Sequence, residues 1–329
     1  MKKSILALLS ATVLTLSSWS AFAAPITLKF SHVVAENTPK GQMAIKFKEL
    51  VAERLNGKVN VEIYPNGQLF GDNKVLEAVL LGDVQLASPS LSKFKKYTKQ
   101  LQVFDLPFLF NNMAAAERFQ QSDVGQSLLK TVEKKGLIGL GYMHNGMKQL
   151  SASTPLHTPS DAKGLKFRIM SSDVLAAQFE AIGATPLKKP YSEVFTLLQT
   201  KAIDGQENTW SNIYSKKFHE VQNNITASNH GLLDYMVVTS AEFWQELPDD
   251  VRTELKKALD EAIAYGNKIA AEKSQSDKQA IIDSKRSQVI ELSQEERQQW
   301  VDMMQPVWKQ FETIVGKDVL DAAISANTK

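Results

Sequence analysis

Residues 28–67 read LKFSHVVAENTPKGQMAIKFKELVAERLNGKVNVEIYPNG, and the order of elements within them decides the fold class. Leu28 to Val34 is a strand. Thr38-Pro39 opens a helix that runs to about Leu55, with proline at a first-turn position where its missing N–H is not needed. Asn56-Gly57 stops it. Val59, Val61 and Ile63 then alternate with polar residues to give a second strand, closed by the turn cluster Tyr64-Pro65-Asn66-Gly67. A helix over Asn73 to Leu81 and a third strand near Val84 to Ser88 complete a β-α-β-α-β order, the mark of a parallel sheet with helices on its faces.

The same order returns after residue 145. Leu165 to Met170 is a strand, Asp173 to Ile182 a helix stopped by Gly183, Thr185 to Lys189 a short strand, and Ser192 to Lys201 a helix capped by Ser192. Aligning Val75-Leu76-Glu77 with Val194-Phe195-Thr196 brings Gly82-Asp83-Val84-Gln85 opposite Lys201-Ala202-Ile203-Asp204. Two similar α/β lobes therefore follow one another. From Pro248 to about Lys285 the sequence is rich in Ala, Glu, Lys, Leu and Ile, with Gly266 as its one interior breaker. A helix of that length, at 1.5 Å per residue, spans on the order of 50 Å and crosses both lobes. Ser293 with Glu296 forms a capping box for a further helix carrying Trp300, which breaks at Pro306 before Trp308. No low-complexity linker separates the lobes, so several crossing segments and a hinge relate them, as in a clamshell.

The chain has 329 residues, enough for two cores. Lys2 and Lys3, the apolar run Ile5 to Leu16 and the small–x–small triplet Ala21-Phe22-Ala23 form a signal peptide over 1–23. That run is shorter than the ~20 apolar residues a membrane span needs. The expected product is a soluble exported protein whose address is a bacterial periplasm. Lys+Arg 38 against Asp+Glu 36 gives +2, and removal of Lys2 and Lys3 leaves 36 − 36 = 0, which argues against nucleic acid or an anionic membrane as partner. With no cysteine in the chain, disulfides, thiolate metal sites, lipid acylation and cysteine nucleophiles are excluded.

The search for catalytic signatures is negative. There is no G-x-S-x-G elbow, no H-E-x-x-H and no phosphate loop, and Gly139-Leu140-Gly141 lacks a third glycine at dinucleotide spacing. His32, His144, His157, His219 and His230 show no i, i+4 pair for a helical metal site. Asp249-Asp250 and Glu295-Glu296 read as first-turn carboxylates that offset the helix dipole. No catalytic residue, metal or cofactor is expected.

The positive signal is cationic and lies at strand ends. In Leu165-Lys166-Phe167-Arg168-Ile169-Met170, alternation sets Arg168 on the face opposite Phe167, near the carboxyl end of the strand, where open α/β sheets bind ligands. Its planar fork suits a carboxylate; the alternative is a surface strand arginine in an exposed pair. Lys148 lies at the first crossing between lobes, near the hinge. Lys93, Lys95, Lys96 and Lys99 form a run without acids, a solvated face from which Lys93, close to Ser88 and Ser90, is the exception. His32 at the end of the first strand is a binding candidate or a hydrogen-bonded structural residue.

These strings resemble a known family. Asn145-Gly146-Met147-Lys148-Gln149, Lys163-Gly164-Leu165-Lys166-Phe167-Arg168, Tyr191-Ser192-Glu193-Val194 and Ala202-Ile203-Asp204-Gly205-Gln206-Glu207-Asn208 are similar to the solute-binding proteins of tripartite ATP-independent periplasmic (TRAP) transporters. Phe30-Ser31-His32-Val33-Val34 with Thr38-Pro39-Lys40-Gly41 resembles the C4-dicarboxylate, DctP-type branch. The resemblance implies a two-lobed α/β periplasmic binding protein, a clamshell with a long helix crossing both lobes. The lobes are expected over 24–145 with 234–273, and over 146–233 with 274–329. It also implies a receptor, here expected as a monomer, that closes on an organic acid and delivers it to a permease of one small and one large membrane subunit. By resemblance, Arg168 forms the main salt bridge to the substrate carboxylate, Asn208 orients that group and Tyr191 packs over the ligand. Where sialic-acid members carry a second arginine and a glutamate, this chain has Lys148 and Ser90, and the neutral serine favours a short dianion. Burying a dianion requires cations or donors at both ends, so Lys148, His32, Lys93 or Lys40, with the Ser88 and Ser90 hydroxyls, are candidates for the distal carboxylate. The ligand class expected is succinate, fumarate or malate; the alternatives are a keto acid or sugar acid, a secreted α/β enzyme acting on small carboxylates, and a sensory module.

Overall fold

The computed structural model describes residues 24–328, so the signal peptide expected over 1–23 lies outside the described residues. Nine strands form one sheet: β1 (Ile26–Ser31), β2 (Val59–Tyr64), β3 (Leu86–Ala87), β4 (Leu137–Ala152), β5 (Lys166–Ile169), β6 (Thr185–Lys188), β7 (Gly205–Asn208), β8 (Asn224–Ser240) and β9 (Gln288–Ile290). Their order is β2-β1-β3-β8-β4-β7-β5-β6, with β9 beside β8. At one end β1 pairs in parallel with β2 and β3; at the other β5 pairs in parallel with β6 and β7. These are the two parallel units read from the sequence.

Between them lies a pair of strands that the sequence did not reveal. β4 and β8, of 16 and 17 residues, run antiparallel and pair with both units, β8 with β3 and β4 with β7. The lobe boundaries expected at 145/146 and 233/234 fall inside them, where Gly146 is opposite Leu233. The pairing register shifts between Gly139 and Gly141, His144 and Gly146, and Lys148 and Leu150. Such irregularities bend a ladder and raise its local twist.

The helices of the first lobe are α1 (Pro39–Arg54), α2 (Val75–Leu80), α3 (Met113–Gln121) and α4 (Asp123–Lys130). Thr38 caps α1, its hydroxyl accepting from Gly41 N at 3.2 Å. The second lobe has α5 (Asp173–Ala181), α6 (Val194–Gln199) and α7 (Trp210–Ser215), followed along the chain by the short α8 (Ala241–Glu246). Helices α2 and α6 correspond in the two units, and the aligned exit residues Gly82 and Lys201 both have positive φ, 77° and 56°. The expected helix from Ser192 is corrected. Tyr191–Glu193 form a separate 3₁₀ turn, α6 begins at Val194, and no side chain caps it.

The long helix α9 spans Asp249–Ser284, 36 residues, and packs on α1 and β4 as well as α7, so it touches both lobes. Gly266 does not break it. A Cβ there would lie 2.7 Å from Met43 Cβ and 2.9 Å from Met143 Sδ, so glycine is what lets the helix approach the strand beneath. Helix α10 (Gln294–Met304) has the expected capping box and packs on α5. The last two helices are α11 (Val307–Val315), which packs on α5 of the second lobe as well as on the 3₁₀ segment Gln100–Asp105 of the first, and α12 (Lys317–Ser325). Their apolar stripes, with Phe311, Val315, Val319 and Leu320, join the core of Phe104, Phe110 and Phe119 in the first lobe. Arg118 Nε also donates to Ala326 O at 2.9 Å. Among the described residues no helix is long and apolar enough to cross a membrane.

Candidate functional site: a cationic cleft between the lobes

A cavity of about 640 Å³ opens where the carboxyl ends of the parallel strands meet. Its wall takes Ser90, Lys93, Asp72 and Tyr235 from one side and Arg168, Tyr191, Asn208 and Lys216 from the other. Lys74 also lines it, so four of the lining side chains are cationic and Asp72 is the one acid. Such a wall favours an anion.

Arg168 is 2% exposed, which removes the alternative of an exposed surface arginine. It sits in β5 opposite Leu187 of β6 and Gln206 of β7, so its backbone is held on both sides. Nε donates to Lys189 O at 3.0 Å, and the guanidinium lies 5.9 Å from the centre of the Tyr191 ring. No carboxylate pairs with it among the described residues. Burial lowers its pKa to about 10, opposed by the charge of Glu207. A dry guanidinium whose terminal nitrogens face a cavity is prepared for two parallel bonds to a carboxylate.

Asn208, the last residue of β7, has its Oδ1 fixed by Thr209 N at 3.1 Å and Asn212 Nδ2 at 2.8 Å, which leaves its amide N–H₂ for the cavity. The Tyr191 hydroxyl is buried without a partner among the described residues. Lys93, in the 3₁₀ turn Leu91–Lys96 after β3, donates to Asn73 Oδ1 at 2.8 Å. Burial lowers its ammonium to about 8; the charge of Asp72 opposes this and the facing charge of Arg168 adds to it. Two cations from two lobes thus address one space, each bonded only to neutral oxygens.

The other expected residues stand behind this wall. Lys148 Nζ lies 2.8 Å from Glu207 Oε2, an ion pair with poor hydrogen-bond alignment, both side chains being 1% exposed. Burial works against ionisation of Glu207, but Lys148 and His230 outweigh it and hold the carboxyl at about 2. His230 Nε2 approaches the same oxygen at 3.0 Å, and Ser228 Oγ meets its Nδ1 at 2.8 Å. Lys148 is therefore neutralised inside the protein and does not line the cavity. Lys40, also fully buried, donates to Ser88 O at 2.7 Å and lies 3.5 Å from the centre of the Tyr235 ring. It has no carboxylate partner among the described residues, and burial lowers it to about 8. Among the described residues His32 has no partner for either ring nitrogen; burial, then the charge of Lys40, pushes it down to about 3, so it is neutral. The Ser88 hydroxyl is likewise buried and unpartnered.

Residues missed by the sequence reading complete the cavity. Asp72 and Asn73 follow β2 and precede α2, a strand's carboxyl end like that of Arg168, so the same rule would have found them. Tyr235, from the unforeseen β8, bonds Asn145 through its hydroxyl at 2.6 Å. Lys216 at the end of α7 donates across the mouth to Asn66 Oδ1 at 3.1 Å and lies 5.6 Å from the Tyr191 ring centre. Outside the mouth, Lys95 of the first lobe and Lys188 of the second both pair with Asp173. The lobes are in contact around the cavity.

Comparison with known proteins gives a consistent picture. The chain is 66% identical over 325 residues, covering 99% of its length and 97% of the relative, to a C4-dicarboxylate-binding periplasmic protein DctP of Shewanella loihica. A TRAP periplasmic solute-binding protein from Shewanella oneidensis, crystallised with bound succinate, superposes with a TM-score of 0.92 at 69% identity, covering 92% of this chain and all of that one. One from Pseudomonas aeruginosa, with bound L-malate, gives a TM-score of 0.85 at 49% identity over 87% of this chain and all of that one. The profile of the family described as bacterial extracellular solute-binding protein, family 7 (DctP), matches residues 30–314, and this chain belongs to that family.

Proposed function

We propose that the protein is the periplasmic receptor of a TRAP transporter for C4-dicarboxylates, of the succinate, fumarate and malate type. One observation carries the reading: Arg168 from the second lobe and Lys93 from the first face the same cavity, and among the described residues neither pairs with a carboxylate. A ligand with a carboxylate at each end supplies both. The buried charge of Lys40 behind Tyr235 adds to the potential at the first-lobe end, while Lys148 supports the wall through Glu207 without touching ligand. The succinate and malate found in the related structures support the same class. Asn208 orients the carboxylate on Arg168, and Tyr191 packs over the chain between the two ends.

In this reading the acid bridges the lobes and stabilises the closed form by contacts that the open form cannot make. The closed receptor then docks on a permease of one small and one large membrane subunit. It acts as a carrier, not as an enzyme. The test is titration calorimetry with succinate, fumarate and malate beside butyrate, glutarate and gluconate. The expected result is binding of the C4 diacids at least a hundredfold tighter than of the others; equal binding of butyrate, or preference for gluconate, rejects the assignment.

A further inference from the structure

The wall of the cavity contains a hydroxyl whose direction is set from behind. Ser90, Ser92 and Asp105 are each 2% exposed. Ser92 Oγ donates to Asp105 Oδ1 at 2.6 Å, and Ser90 Oγ donates to Ser92 Oγ at 3.2 Å. A serine has one hydroxyl hydrogen, and an ionised carboxylate only accepts. The Ser92 hydrogen therefore goes to Asp105, and the Ser90 hydrogen goes to Ser92. Burial raises the Asp105 carboxyl above its usual value, while the charge of Lys148 and the hydrogen bond from Ser92 oppose that rise; the direction of the hydrogen-bond chain rests on its geometry, Ser92 lying 2.6 Å from Asp105 Oδ1 and Ser90 3.2 Å behind it. The Ser92 amide makes only a long 3.4 Å contact with Ser90 Oγ, and Ser90 lines the cavity. What it presents there is an oxygen lone pair.

We propose that Ser90 is a hydrogen-bond acceptor at the cavity wall, held so by Ser92 and Asp105, and that it recognises a hydroxyl on the ligand. The site then prefers a 2-hydroxy-dicarboxylate to the same diacid without the hydroxyl. This rests on the dicarboxylate reading above and modifies one part of it, because Ser90 cannot donate to a distal carboxylate while its hydrogen is committed. The charged ends must lie at Arg168 and Lys93, and the carbon between them that faces Ser90 must carry hydrogen or a hydroxyl. A carboxylate oxygen against Ser90 would set acceptor against acceptor.

The experiment is calorimetry of the whole mature protein and of Ser90→Ala and Ser92→Ala with L-malate, D-malate and succinate. The wild type binds one malate enantiomer more tightly than succinate. Ser90→Ala lowers the ratio of malate to succinate affinity on the order of tenfold, the worth of one hydrogen bond with a buried partner. Ser92→Ala lowers the ratio as well, because the freed Ser90 hydrogen can then turn to a carboxylate. Should Ser92→Ala fail to fold, Ser90→Ala decides alone. A ratio that moves less than twofold in Ser90→Ala overturns the inference, as does a wild type that favours succinate over both malates. Absence of binding by any of these acids would instead overturn the function proposed above, and this inference with it.

Discussion

Replacement of Arg168 by alanine tests the site most directly. The side chain is 2% exposed, bonded through Nε to Lys189 O, and its two terminal nitrogens are left for ligand. Each hydrogen bond to a charged partner contributes about 1.5–3 kcal/mol. Two of them give ~3–6 kcal/mol, or a loss of affinity of roughly 200-fold to 20,000-fold at 1.36 kcal/mol per decade. Lysine restores the charge without the fork and should recover about one of the two bonds. The unliganded protein should respond differently. Burial already disfavours the charge, pulling its pKa from 12.5 to about 10, so removing it relieves a desolvation cost. The melting temperature of unliganded Arg168→Ala is therefore expected within a few degrees of wild type, while the rise that succinate produces in the wild type disappears. Calorimetry and thermal shift measured together distinguish a lost anchor from a lost fold. A succinate affinity within about tenfold of wild type, ~1.4 kcal/mol, would refute the assignment of Arg168.

Three further outcomes are expected. Lys40 and Lys93 both titrate near 8, so the affinity for a dianion should be flat below pH 7 and fall above pH 8 as these ammonium groups lose their protons in the free protein; a profile still flat at pH 9.5, measured by calorimetry, contradicts this. Glu207→Gln leaves Lys148 buried and unpaired and should lower the unfolding free energy by about 3–5 kcal/mol in urea. Adding Lys148→Met to that variant should recover part of the loss, and a single-variant cost below ~1 kcal/mol would show that the pair is not coupled. Lys216→Ala removes the bond to Asn66 across the mouth, and stopped-flow fluorescence should show dissociation faster by about fivefold with association little changed; an altered association rate alone would place Lys216 in ligand capture instead.

The parallel units were legible because each strand and helix carries its own punctuation, such as Thr38-Pro39, Asn56-Gly57 and Gly183. Arg168 was legible by strand alternation and its place near a carboxyl end. Asn208 and Tyr191 carry no such local signal and entered through family resemblance. The pairing of Lys148 was not legible, because nothing near it in sequence announces Glu207, which the β4/β7 pairing brings against it. Strands β4 and β8 were illegible for a related reason. Both faces of each are largely buried, so polar residues such as His144, Asn145, His230 and Asp234 lie inside, and apolar alternation is lost. Where the final helices pack was not legible, because an amphipathic stripe shows that a face is covered, not which core covers it, and α11 lies against both α5 and the Gln100–Asp105 segment.

The ribbon made by β4 and β8 has a consequence for dissection of the molecule. Together its strands tie the two halves, β8 bonding to β3 and β4 to β7, so no cut in the polypeptide releases a self-sufficient fragment. Either piece expressed alone would carry half of two ladders with raw, unmatched edges, and would be prone to stick to its own kind. Reassembly from co-expressed pieces, or grafting one half onto a relative, would have to keep this pair of strands whole.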